Sequence, residues 1–129
     1  MTVFRRKPTD AELSILRVLW TNGPSTVRQV AEALGRETGY TTVLKLLQIM
    51  TEKRLVLRDE TERTHVYEAA YTEDQTQRQL VTDLLDRAFG GSAATLVLQA
   101  LAARKATPEE LQKIKRLLDT QVGAKGEGE

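Results

Sequence analysis

Apolar residues recur at helical spacing in the first part of the chain and predict three consecutive helices. The first begins at the capping box Thr9 to Glu12 and is apolar nearly all round, so we expect neighbours on both of its sides. The second covers about residues 26–34, and the third covers about residues 41–53. The apolar residues of the third helix share one face, because they follow the spacing i, i+3, i+4, i+7: Val43, Leu46, Leu47 and Met50.

The hydrophobic period then changes, and the new pattern predicts a β-hairpin. Residues 55–58 and 64–68 have the composition of two short strands, and residues 59–63 between them are all polar. Helical spacing returns at Thr72, which begins a second capping box. Gly90-Gly91 separates this helix from the next, and Pro108 stands at the first position of the last helix. We therefore expect a mainly α-helical fold with one small β-hairpin.

Three helices followed by a two-stranded hairpin is the order of elements in a winged helix-turn-helix. The face of the third helix opposite its apolar row carries hydrogen-bonding side chains, among them Thr41, Lys45 and Gln48. The major groove of DNA admits one α-helix, whose outward side chains must bond base edges and phosphates. Arg58 and Arg63 in the hairpin are predicted to reach a neighbouring phosphate backbone. The alternative is an ordinary core helix with a solvated outer face.

The helices after residue 71 have broad apolar faces with little else in the chain to cover them. Exposed apolar patches of this size mark an interface, so we expect a homodimer that matches a palindromic DNA site. The alternative is that these helices fold back on the winged domain. The predicted layout is a winged-helix domain at 1–71, a helical dimerisation domain at 72–122 and a disordered tail at 123–129. The predicted dimer contacts are Leu96, Val97, Leu101, Leu111, Ile114, Leu117 and Leu118.

Composition removes several function classes. The 129 residues include no cysteine and one histidine, His65, so thiolate and paired-histidine metal sites are excluded and no catalytic set is visible. We expect no cofactor and no bound metal. No apolar run is long enough to span a bilayer, and the first residues lack a signal-peptide pattern, which predicts a cytoplasmic protein. The net charge of +1 does not by itself indicate nucleic acid.

Several segments together resemble the penicillinase repressor family of bacterial transcriptional repressors. The resemblance covers roughly residues 5–120. It implies a dimeric winged-helix repressor whose third helix enters the major groove, with residues 72–120 forming the dimer. It also implies DNA contact by Thr42, beside Thr41, Lys45 and Gln48. The segments that carry the resemblance are Pro8 to Leu13, Val18 to Trp20, Ser25 to Val30, Tyr40 to Leu44, Phe89 to Ser92 and Leu96 to Leu98.

The chain departs from the family pattern in three respects: two residues in and after the third helix, the cysteines, and the cleavage position. Ile49 stands where members often have a basic residue, and Arg54 stands where they have a turn glycine. The cysteine pairs of copper-responsive members are absent, which excludes copper sensing by thiolates. Members that respond to β-lactams are cut at an Asn-Phe bond after the Leu-Val-Leu segment. Here that place is Gln99-Ala100.

The sequence thus predicts a homodimeric repressor, not an enzyme, whose partners are double-stranded DNA and a second copy of itself. An inducing signal would release it by disrupting the dimer, through a protease that cuts at Gln99-Ala100 or through another sensor. The alternative is a winged-helix module that binds protein and does not recognise a DNA sequence.

Overall fold

The computed structural model describes the backbone of residues 6–35 and 37–128, and side chains as far as Gly123. It confirms a mainly α-helical fold with one β-hairpin. Among the described residues, no helix has the length and apolarity that crossing a membrane requires. The elements in chain order are α1 (Asp10–Asn22), α2 (Val27–Leu34), α3 (Tyr40–Glu52), β1 (Val56–Asp59), β2 (Val66–Ala69), α4 (Glu73–Ala88), α5 (Ala93–Ala103) and α6 (Pro108–Gly128).

Reciprocal capping bonds begin four of the helices. In α1, the N–H of Glu12 donates to Thr9 Oγ1 at 3.2 Å, and the N–H of Thr9 donates to Glu12 Oε1 at 2.8 Å. The same exchange satisfies the first turns of α2, α4 and α6, because each begins after a threonine with Gln or Glu three residues later. The capping boxes predicted at Thr9 and Thr72 are confirmed.

The two strands pair antiparallel and form what we call the wing, residues 56–69. Val56 lies opposite Ala69, and Asp59 lies opposite Val66. A third segment joins them, because Ser25 and Tyr67 exchange two backbone hydrogen bonds of 2.9 and 2.8 Å. This bridge fastens the start of α2 to the wing. The sequence pattern missed it, since a single paired residue carries no periodicity.

One hydrophobic core lies between the first three helices and the wing. Trp20 packs at its edge, and its indole N–H donates to the Tyr71 carbonyl at 3.0 Å. Leu80 of α4 also packs against this core, and Thr76 is buried. The first turns of α4 therefore belong to the winged part of the chain. The buried core side chains are Ile15, Leu16, Leu19, Val27, Val30, Val43, Leu47, Met50, Leu55, Val56 and Tyr67.

The end of α3 is a Schellman turn. The N–H of Leu55 donates to the Met50 carbonyl at 2.9 Å, and the N–H of Arg54 donates to the Thr51 carbonyl at 3.1 Å. The residue at the left-handed position is Arg54, with a φ of 63°, where glycine is the usual occupant. Leu55 follows it into the core.

The chain forms two compact units that meet in sequence between Leu84 and Leu85. We call residues up to Leu84 the winged unit and residues from Leu85 the second unit. The sequence analysis instead places the domain boundary at 71/72, just before α4 begins at Glu73. Helix α6 ends at Gly128, within the segment 123–129 for which the sequence predicts a tail. The layout of 1–71, 72–122 and 123–129 stays a prediction.

Candidate nucleic-acid interface

The two faces of α3 differ in burial as the sequence predicts. Val43, Leu47 and Met50 are fully buried and hold the helix on the core. The side chains proposed for DNA contact are all exposed on this helix: Thr41, Thr42, Lys45 and Gln48. The two departures from the family pattern also differ, since Ile49 is half-buried and Arg54 is exposed. The helix presents a short polar row with one positive charge.

A groove of about 480 Å³ lies at the start of α3 and links three elements. Arg28 from α2, Tyr40 from α3, and Arg63 and His65 from the wing line it. The Ser25–Tyr67 bridge explains this arrangement, because it holds the start of α2 beside the second strand. The structure therefore brings Arg63 to the end of α3 that carries Thr41. Sequence reasoning missed Arg28, since nothing in its own helix distinguishes it from a solvated residue.

Arg58 is not part of that groove. It pairs with Glu60 at 2.6 Å and lines a separate hollow with Thr51, Arg54 and Tyr71. The two wing arginines that the sequence grouped together thus line different surfaces. Arg58 belongs to β1, whereas Arg63 lies in the loop before β2, so strand periodicity does not determine the side on which Arg63 lies.

The wing tip carries a fixed negative charge. The backbone N–H and the hydroxyl of Thr61 donate to Asp59 Oδ1 at 2.9 and 2.7 Å, and these bonds hold the pKa of Asp59 below its ordinary value. Asp59 therefore remains an anion at neutral pH. It opposes a close approach of the tip to phosphate, whereas Arg63 favours it.

Lys53 does not extend the basic surface. In the sequence it stands beside Arg54 at the end of the third helix. In the structure its side chain is 8% exposed, and Nζ pairs with Glu12 Oε1 at 2.6 Å. Arg54, at the left-handed position of the turn, is exposed.

Within the described part of the chain there is no cluster of three or more His, Asp or Glu side chains that could hold a metal ion. His65 is exposed and lines the groove at α3.

The second unit has apolar side chains but no interior of its own. None of its side chains described between Leu85 and Gly123 is fully buried. Of the predicted dimer contacts, Leu96, Leu101 and Ile114 are half-buried, and the other four are exposed: Val97, Leu111, Leu117 and Leu118. Leu98 and Val122, which are not among the predicted dimer contacts, are the most exposed of its large apolar residues, at 67% and 70%.

The predicted cleavage position lies inside a helix. Gln99 and Ala100 are both exposed, but they stand in the body of α5 (Ala93–Ala103). The carbonyl of Ala100 accepts a hydrogen bond from the N–H of Arg104 at 3.1 Å. A protease needs an extended segment, so the end of α5 would have to unfold before cutting.

Comparison with known proteins agrees with this architecture. The family model described as Penicillinase repressor matches residues 8–120. The transcriptional regulator BlaI of Mycobacterium tuberculosis is 39% identical over 93 residues, which cover 68% of this chain and 67% of that protein.

Two solved structures are similar at lower identity. The complex structure of hsRosR-S4 is 18% identical with a TM-score of 0.51, covering 92% of this chain and 93% of that one. A Lactococcus lactis ZitR variant is 22% identical with a TM-score of 0.46, covering 93% and 77%. At this identity the first match supports the fold alone.

Proposed function

The chain belongs to the penicillinase repressor family, and from that premise we propose that it is a cytoplasmic, homodimeric repressor that binds a palindromic DNA operator. The family consists of transcriptional regulators, and the chain is not an enzyme. In this proposal α3 lies in the major groove of each half-site, and the second unit joins the two copies.

One observation carries the DNA-binding part of the proposal. The groove that Arg28 and Arg63 line lies at the start of α3, the helix that carries the exposed polar row. Lys45 and Gln48 supply groups that bond base edges, while Thr41 and Thr42 suit bases or phosphates. The two arginines of the groove suit the phosphate backbone beside them. Arg58, paired with Glu60, contributes less than Arg63.

The dimer follows from the second unit. A helical unit whose described side chains are nowhere fully buried gains too little from burial to offset the entropy of ordering its chain. A second copy covers Leu111, Leu117 and Leu118 with the same surface of its own second unit, as a two-fold interface requires. Two linked winged units then contact half-sites about one helical turn apart, roughly 34–36 Å.

Release by a signal follows from the same linkage. Disruption of α5 and α6 uncouples the two half-site contacts, because each then binds without the effective concentration that the dimer supplies. A cut at Gln99-Ala100 by an inducer protease has this effect, and so does a sensor that binds the second unit. Mass spectrometry of the chain during induction separates them, since only proteolysis leaves two fragments.

The DNA-binding part is tested at α3. The probe is the sequence that the full-length protein selects from fragmented genomic DNA. Lys45→Ala and Gln48→Ala are each expected to weaken its binding by about 1–3 kcal/mol, the worth of a base-edge contact. Lys113→Ala removes the same charge from α6 and is the matched control, with no loss expected.

Salt dependence distinguishes the competing function. Counterion release makes the logarithm of DNA affinity fall steeply with the logarithm of salt concentration, whereas an apolar protein contact changes little. Unchanged affinity in both α3 variants, with normal helical circular dichroism, would favour a winged-helix module that binds protein.

A further inference from the structure

A chain of charged contacts joins the end of α3 to α1 and α4. Lys53 Nζ lies 2.6 Å from Glu12 Oε1 and donates to the Lys7 carbonyl at 3.2 Å. The Nζ of Lys7 pairs with Asp83 Oδ2 of α4 at 2.8 Å. We call these four residues the Glu12 cluster. It links three helices of the winged unit through two side-chain ion pairs and a hydrogen bond to the backbone carbonyl of Lys7, at the opposite end of α3 from the groove.

The inner part of the cluster is buried. The side chains of Lys53 and Glu12 are 8% and 2% exposed, whereas Lys7 and Asp83 are 44% and 32% exposed. Apolar residues of similar volume often replace a buried ion pair without loss of stability, so stability alone is a weak reason for its presence. Unlike apolar residues, a charged pair constrains the relative orientation of the two side chains, because its hydrogen bonds form only within a narrow range of distances and angles.

The position of Lys53 in the chain shows which helix this ion pair orients. Lys53 directly follows Glu52, the last residue of α3, and precedes the left-handed Arg54. The side chain of Glu12 is also held in place, because its Oε1 accepts a hydrogen bond from the N–H of Thr9 at 2.8 Å as well. The end of α3 is thus tied to the first turn of α1.

We propose that Glu12 and Lys53 are positioning residues that set the orientation of α3 against α1 and α4, so that recognition of the operator sequence depends on them. The inference rests on the proposed binding of DNA through α3. Base-edge contacts need a helix held to a fraction of an ångström, whereas phosphate contacts by long side chains tolerate small shifts. Loss of the cluster should therefore lower affinity for the operator more than affinity for random DNA.

The main test replaces both buried charges together in the full-length protein. In Glu12→Gln with Lys53→Met, glutamine keeps the acceptor that caps α1, and methionine fills the space of the lysine stem. Affinity is measured at one salt concentration for the selected operator and for a random duplex of equal length. We expect operator affinity to fall roughly tenfold or more, as for the loss of one base contact, with random-DNA affinity changed less than about twofold.

A second variant tests the exposed end of the cluster without placing the core at risk. Asp83→Asn removes the partner of Lys7 and should lower the ratio of operator to random-DNA affinity, by less than the double variant does. Asp74→Asn is its control, because it makes the same change on α4 at an exposed pair with Arg78. That control should leave the ratio unchanged.

Each outcome decides the inference. A double variant that folds and keeps the ratio of the unaltered protein overturns it, and so does an unchanged ratio in Asp83→Asn if the double variant does not fold. Gln48→Ala is measured alongside. If Gln48→Ala also leaves operator binding unchanged, the proposed DNA binding through α3 is wrong. If Gln48→Ala weakens binding but the cluster variants leave the affinity ratio unchanged, only the positioning role is wrong.

Discussion

The two units of this chain use apolar residues in opposite ways. Among its described residues, the winged unit buries eleven hydrophobic side chains, with Ile15, Val30, Val43, Leu47 and Met50 at zero exposure. The second unit is also rich in apolar residues, but its described side chains are all at least partly exposed. The winged unit is therefore stabilised by its own hydrophobic core, whereas the second unit needs a further surface to cover its apolar side chains.

Helix α5 shows that apolar composition alone does not decide burial. Its eleven residues are alanine, leucine and valine apart from Thr95 and Gln99, yet none of them is buried. In α3 the apolar residues fall on one side and meet the core, because two other helices and the wing close over them. Burial needs a neighbour of matching shape, and the described second unit provides too few.

The largest expected effect is the loss of operator binding when the exposed apolar surface of α6 is charged. Leu117→Glu with Leu118→Glu places carboxylates where a second copy would cover them, and burial of unpaired charge opposes the dimer. Operator affinity should fall by about 10²–10⁴, the avidity that linkage supplies. Analytical ultracentrifugation at micromolar concentration should show a monomer.

Gln112→Glu with Gln121→Glu is the control for this surface. It adds the same two charges to α6 at exposed polar positions. If the charged leucine variant remains dimeric, the comparison between the units is wrong, because the exposed leucines would then not be covered by a second copy.

A large effect of a different kind is expected in the winged unit. Leu47→Ala leaves a cavity beneath α3, and it should lower the free energy of unfolding by about 2–5 kcal/mol in urea titrations. That change should not depend on protein concentration. Leu98→Ala, at a side chain 67% exposed in α5, should instead have an effect that depends on concentration. Equal, concentration-independent losses in both would remove the distinction between the units.

The smallest effect is expected at the turn after α3. A non-glycine residue at the φ of Arg54 costs roughly 1–2 kcal/mol, and glycine loses about 0.4–1 kcal/mol through its freer unfolded chain. Arg54→Gly should therefore raise the free energy of unfolding by up to about 1.5 kcal/mol, as thermal unfolding at fixed concentration can measure. Glu52→Gly, two residues earlier at the last position of α3, should destabilise by roughly 0.5–1 kcal/mol. Destabilisation by Arg54→Gly would mean that the arginine side chain outweighs the strain.

Local signals were sufficient to predict most of the winged unit. The capping box at Thr9, the glycine after Leu34 and the four-residue apolar row of α3 predict their helices, because each acts within one or two turns. The exposure of Lys45 and Gln48 followed from the same periodicity. Arg28 escaped prediction because its importance comes from the wing, which is distant in the sequence.

The sequence by itself therefore determined the order of the helices, the hairpin and the polar row of α3, since hydrogen bonding within an element and the period of its apolar residues are local properties. The tertiary structure decided which charged side chains remain exposed at the surface and which are paired or buried. It buried Lys53 against Glu12, 41 positions away, and separated Arg63 from Arg58 onto different surfaces. Such outcomes depend on which distant segments share a core, because charged side chains are paired or solvated according to the neighbours that packing brings to them.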